Sequence, residues 1–124
     1  MNDIKIKEPD FTEDLGSISN KDLTDLRIGN NTKNLNLISE FKNIQRIWLH
    51  SFNAKNIIKI SPYIRNVKLL SLYGTKEFDL SFLEEFKDAE DIRLNWNTKA
   101  TKLWDLHSNS ELKNLTIIDF THRK

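Results

Sequence analysis

The chain has 124 residues, 38% hydrophobic and 30% charged, a balance that excludes a disordered acidic or basic tail and fits one domain around one core. Nineteen Lys plus Arg against 18 Asp plus Glu leave a net charge of +1, so no global field favours nucleic acid or anionic lipid. There is no cysteine, which excludes disulfides, thiolate metal sites and cysteine nucleophiles.

In chain order, the first stretch, MNDIKIKEPDF, lacks the apolar centre of a secretory signal. No apolar run approaches the ~18 residues that a membrane span needs, so a cytoplasmic setting is expected. An apolar triplet with the spacing L-x-x-L-x-L opens here as Met1/Ile4/Ile6 and returns five times: Leu23/Leu26/Ile28, Ile44/Ile47/Leu49, Val67/Leu70/Leu72, Ala89/Ile92/Leu94 and Leu112/Leu115/Ile117. Successive triplets stand 21 to 23 residues apart, whereas a helical stripe does not restart at a fixed interval near 22. The last two members of each triplet are separated by one residue, which predicts a short strand with both pointing inward and the residue between them outward. Six strands centred on Lys5, Arg27, Trp48, Ser71, Arg93 and Thr116 are expected.

In every complete unit an apolar pair spaced three apart follows the strand: Leu15/Ile18, Leu35/Ile38, Ile57/Ile60, Leu80/Leu83 and Leu103/Leu106. A single helical or 3₁₀ turn would bury both members. Phe41, Ile64 and Phe86 then lead into the next strand, so each unit reads as strand, turn, short helical segment and return, with neighbouring units sharing one core.

This pattern, and stretches such as NLISEFKNIQRIWL and DLSFLEEFKDAEDIRL with their aromatic-Lys-Asx step, resembles the leucine-rich-repeat proteins, nearest to the 22-residue bacterial internalin-like type. The resemblance covers residues 1–124 as one domain. It implies an α/β fold, a leucine-rich-repeat solenoid coiled as a right-handed superhelix. A six-strand parallel sheet would line its concave face, with short helical or 3₁₀ segments on the convex one. It also implies that Asn31 and Asn97 satisfy buried backbone groups along the turns, a ladder interrupted by Pro9, Phe52, Thr75 and Phe120.

The concave sheet is the usual binding face of such repeats. Its predicted columns run Asp3, Asp25, Arg46, Leu69, Asp91, Asn114, then Lys5, Arg27, Trp48, Ser71, Arg93, Thr116, then Lys7, Gly29, His50, Tyr73, Asn95, Ile118. A fourth, Glu8, Asn30, Ser51, Gly74, Trp96, Asp119, lies one step further on. Trp48, His50, Leu69, Tyr73 and Trp96 converge at the centre, from strands about 4.8 Å apart. Asp3/Lys5, Asp25/Arg27 and Asp91/Arg93 form a charged rim, with Arg46 beside it. An aromatic centre inside a polar border is the anatomy of a protein interface, so Trp48, His50, Tyr73, Trp96, Arg46, Leu69, Arg27 and Arg93 are the candidate partner-binding residues. Trp104 reads instead as packing on the convex side.

Catalytic and metal signatures are missing. His50, His107 and His122 stand in no H-x-x-H arrangement, and no phosphate loop or G-x-S-x-G occurs. No enzyme activity, cofactor or metal is expected. The expected function is binding of one protein partner, as in an immunity-type protein that neutralises a toxin. Two alternatives stand beside it: part of an internalin-like surface protein, and a nucleic-acid-binding module, which Asp3, Asp25, Asp91 and Asp119 disfavour by interrupting the basic residues.

Overall fold

The computed structural model describes residues 7–74, 80–95 and 104–118. It contains a six-stranded sheet in simple sequence order: β1 Phe11–Asp14, β2 Asp25–Lys33, β3 Arg46–His50, β4 Leu69–Tyr73, β5 Asp91–Asn95 and β6 Asn114–Ile118. Every neighbouring pair is parallel. The connections carry 3₁₀ turns at Leu15–Ser17, Leu35–Glu40, Ser81–Glu85 and Leu106–Ser108, and one α-helix, α1, at Ala54–Ile64.

The repeat is visible in the backbone. The carbonyls of Thr24, Gln45, Lys68 and Glu90 each accept from two successive amides at the start of the next strand, at 2.7 to 3.2 Å. This shared step locks the register, so that Arg27, Trp48, Ser71, Arg93 and Thr116 stand side by side across β2 to β6, as the sequence pattern predicts. A shift of one residue would exchange the two faces of a strand.

On one face, Leu26, Ile28, Ile47, Leu49, Leu70, Leu72, Ile92 and Leu94 join Ile38, Ile57, Ile60, Leu80 and Leu83 from the helical connections in a single buried cluster. Phe41, Phe52, Ile64 and Phe86 close it where each unit returns to the sheet. Each such side chain contributes about 1.5–3 kcal/mol relative to exposure, and stability rests on this shared packing. In α1, Asn53 caps the N-terminus by accepting from the Asn56 amide. Pro62 cannot donate to the Ile58 carbonyl, and the Ser61 hydroxyl donates to it instead at 3.2 Å.

Several expectations are corrected. The strand beside β2 is Phe11–Asp14, with Phe11 and not Lys5 paired to Arg27; Lys5 and the Met1/Ile4/Ile6 triplet lie outside the described residues. Among the described residues β1 pairs with β2 alone, and it lacks the apolar triplet: Thr12 stands in register with Ile28. Asn31 is exposed; Thr32 does the internal work, accepting from the Gly29 amide at 2.8 Å and donating to the Thr12 carbonyl at 2.9 Å. Asn97, Thr75, Leu103, Asp3 and Phe120 are outside the described residues, while Phe52 is a core residue. Leu106 is exposed rather than packed. Trp104 joins the core, and its indole N–H donates to Asn109 Oδ1. The Asn109 amide in turn donates to the Leu83 and Phe86 carbonyls, at 2.9 and 3.0 Å. Among the described residues, no helix is long and apolar enough to cross a membrane.

Candidate functional site

The second face of the sheet, away from the helical connections, carries the side chains between the core positions. Its centre is not bare. Trp48 is 0% exposed, Leu69 2% and Ser71 0%, yet neither Trp48 nor Leu69 belongs to the core cluster. The register places Trp48 between Arg27 and Ser71, as expected, but as a covered ring rather than an exposed anchor. Leu69 is corrected in the same way. A strand's alternation fixes the direction of a side chain and says nothing of how much solvent reaches it.

One described residue of the N-terminal stretch reaches this face. Glu8 accepts a hydrogen bond of 2.7 Å from the Tyr73 hydroxyl through Oε2, and its Oε1 lies 3.4 Å from Arg27 Nε. The carboxylate thus bridges β2 and β4 across the intervening strand of Trp48. The residue before a proline is held extended, and Pro9 follows Glu8.

Around it stands an aromatic row. His50 stacks on Tyr73 with ring centres 4.6 Å apart and planes 3° from parallel, and Phe11 meets His50 edge-on at 5.8 Å. Phe11 is able to reach across because the residue opposite His50 on β2 is Gly29: a Cβ there would stand 2.8 Å from Phe11 Cζ. Arg27 lies over the Phe11 ring at 5.8 Å, and its Nε donates to His50 Nε2 at 3.1 Å. That bond requires neutral His50 with the proton on Nδ1. Burial, then the adjacent Arg27 charge, holds the imidazole below its ordinary value, against the opposing pull of Glu8. Burial and the bond to Glu8 push the Tyr73 hydroxyl upward. Beside this row, a recess of 460 Å³ is lined in part by Phe11, Asn30, Thr32 and His50.

The other candidates are positioned by ion pairs. Arg46 reaches across to Asp25 at 3.0 Å, and Arg93 turns back on Asp91 of its own strand at 2.9 Å. The expected Asp25/Arg27 pair is therefore replaced by Asp25–Arg46, with Arg27 left to Glu8. The structure brings Arg27, Trp48, His50, Tyr73, Arg46, Leu69 and Arg93 onto one face, while Trp96 lies outside the described residues. Phe11 was missed because its strand breaks the apolar spacing. Glu8 stands in the outermost predicted column, but its bond to Tyr73, 65 residues away, leaves no local signal. Among the described residues, no cluster of His, Cys, Asp or Glu has the makings of a metal site.

No family model, no curated protein and no solved structure matches this chain.

Proposed function

We propose that the chain is a non-catalytic protein-binding module, a leucine-rich-repeat solenoid whose concave sheet captures one protein partner in the cytoplasm. The observation that carries the reading is the row of part-exposed Arg27, His50, Tyr73 and Arg93, held on one face of adjacent strands by ion pairs and ring stacking. Arg and Tyr are the residue types that most often anchor interfaces, and anchors fixed before binding lose little freedom on docking. Trp48 and Leu69 serve this face as its covered floor and not as its contact surface.

Within this reading, a toxin neutralised by steric occlusion is the partner class to screen first. A nucleic-acid groove is disfavoured because Asp25 and Asp91 neutralise Arg46 and Arg93, and backbone tracking needs uncompensated positive charge.

The experiment captures partners on the immobilised chain, identifies them by mass spectrometry, and measures affinity calorimetrically. Tyr73→Ala and Arg93→Ala should each weaken binding by about 2 kcal/mol or more, as central anchors do. Lys55→Ala, on exposed α1 surface, is the control. Wild-type affinity in both folded variants would place the interface elsewhere.

A further inference from the structure

The two outermost strands among the described residues are finished differently. At β1, Pro9 stands two residues ahead of the strand, Glu13 and Asp14 lie within it, and its pairing with β2 slips register between Thr12 and Asp14. Proline, charge and irregular pairing are the devices that keep an outer strand from adding another. Strand β6 has none of them. It carries no charged residue and no proline, and it pairs with β5 in unbroken register over all five residues. Among the described residues no strand lies on its other side. Such an edge presents a row of unpaired amides and carbonyls to a further strand.

The side chains show the same opening. Of the seven large apolar side chains exposed among the described residues, four, Leu106, Leu115, Ile117 and Ile118, lie in the last unit. Leu115 and Ile117 stand in register with the buried Ile92 and Leu94, and so on the core face of the sheet. A core face continuous up to β5 and open at β6 is completed by a strand of the same apolar character beyond it.

We propose that this strand is β6 of a second copy of the chain, paired antiparallel about a two-fold axis at Thr116. Residues opposite each other in antiparallel strands share a face of the sheet. With the axis at Thr116, Leu115 of each copy meets Ile117 of the other, and the two cores join. The register is selective. An axis at Leu115 would set Ile117 against Lys113, and one at Ile117 would set Leu115 against Asp119. The axis at Thr116 matches both apolar residues and sets the positions of Lys113 and Asp119, opposite in charge, against each other. Head-to-tail addition of β6 to β1 fits less well: continuing the sheet's register would set Ile117 beside Thr12, and the contact would grow open chains instead of a closed pair. Pairing through β6 is independent of what the second face binds, since the two second faces look the same way and stay open.

Sedimentation equilibrium of the full chain over rising concentration should show the mass climbing from 14.6 kDa to twice that and no further. Ile117→Lys, at a side chain already half-exposed, should abolish the rise. Glu13→Lys on β1 and Ile58→Lys on the exposed surface of α1 should leave it unchanged. The chain has no cysteine, so introduced cysteines report the register. Opposite residues of antiparallel strands have Cα atoms about 4.5–5.5 Å apart, within disulfide reach. Thr116→Cys, which faces its own copy, should therefore crosslink on oxidation. Asn114→Cys or Ile118→Cys alone should not, and a mixture of the two should. In hydrogen exchange the β6 amides, loosely held in the monomer, should gain protection with concentration, and the β1 amides should not.

A mass of 14.6 kDa at every soluble concentration, growth beyond two copies, a dimer that survives Ile117→Lys, or one lost with Glu13→Lys or Ile58→Lys would each overturn the proposal. Should Ile117→Lys fail to fold, the cysteine variants decide. No crosslink at Thr116→Cys, or equal crosslinking by Asn114→Cys alone, overturns pairing about Thr116.

Discussion

At the scale of single residues, Gly29 and His50 set the site. Gly29 is needed for what its absent side chain permits, the approach of the Phe11 ring to His50. Gly29→Ala should displace that ring and cost about 1 kcal/mol, within the range of an edge-on aromatic contact. In a Phe11→Ala background the same change should cost almost nothing, and a double-mutant cycle by chemical denaturation measures the difference; additive effects would refute the contact. His50 makes a separate prediction with a definite sign. The charged and titratable groups against it are Arg27, Glu8 and Tyr73. Its folded value lies below the ordinary 6.5, so the unfolded chain takes up the proton first. The contribution of neutral His50 is complete above about pH 6.5 and is lost as pH falls through the folded value, because protonation removes the acceptor for Arg27 Nε. The stability difference between wild type and His50→Gln, measured at pH 7.5 and 5.5, should therefore move against wild type on acidification. A difference that does not change with pH would show that the imidazole is uncoupled from the fold.

At the scale of elements, strands β2 to β6 were legible because a period-two alternation repeated at 21 to 23 residues fixes both the faces and the register. Four connections were legible as apolar pairs three apart, Leu106 of the fifth pair being exposed, though α1, with 11 residues, exceeds the single turn expected of Ile57/Ile60. Strand β1 was not legible, since its pairing depends on Phe11 lying over Gly29 and on Thr32 bonding to the Thr12 carbonyl, and neither leaves an apolar spacing. The burial of Trp48 was illegible for a different reason: alternation sends the ring to the second face, and the spacing of apolar residues carries no measure of how much solvent reaches it there. Two substitutions separate these cases. Leu94→Ala, in the core cluster, should cost about 2–5 kcal/mol, and Trp48→Ala, on the opposite face, about 3–5 kcal/mol. Thermal or denaturant unfolding measures both. A Trp48→Ala variant as stable as wild type would return the ring to the exposed role that the sequence pattern alone assigned to it.

At the scale of the whole molecule, the parallel sheet is a linear array in which each unit is stabilised by its neighbours, and its two ends differ. Beside β2, strand β1, the outermost among the described residues, is tied down by Thr32, by the Phe11–His50 contact and by the Asn34–Asp14 bond at 2.8 Å. At the other end, β6 repeats the inward phase of the core, yet Leu115 and Ile117 are 37% and 53% exposed and stand outside the buried cluster. Among the described residues its only strand partner is β5. A strand with one paired edge and exposed inward residues opens at lower free energy than strands buried in the middle of the array. Native-state hydrogen exchange should therefore rank the protected strand amides of β3 and β4 above those of β6, with the β3–β4 group exchanging only in the global unfolding of the shared core. In increasing denaturant the β6 amides should retain a shallow dependence, as local opening exposes little surface, while the central amides follow the full unfolding slope. Equal protection and equal slopes across all six strands would show that the array unfolds as one cooperative block and that its open end is as firmly held as its centre.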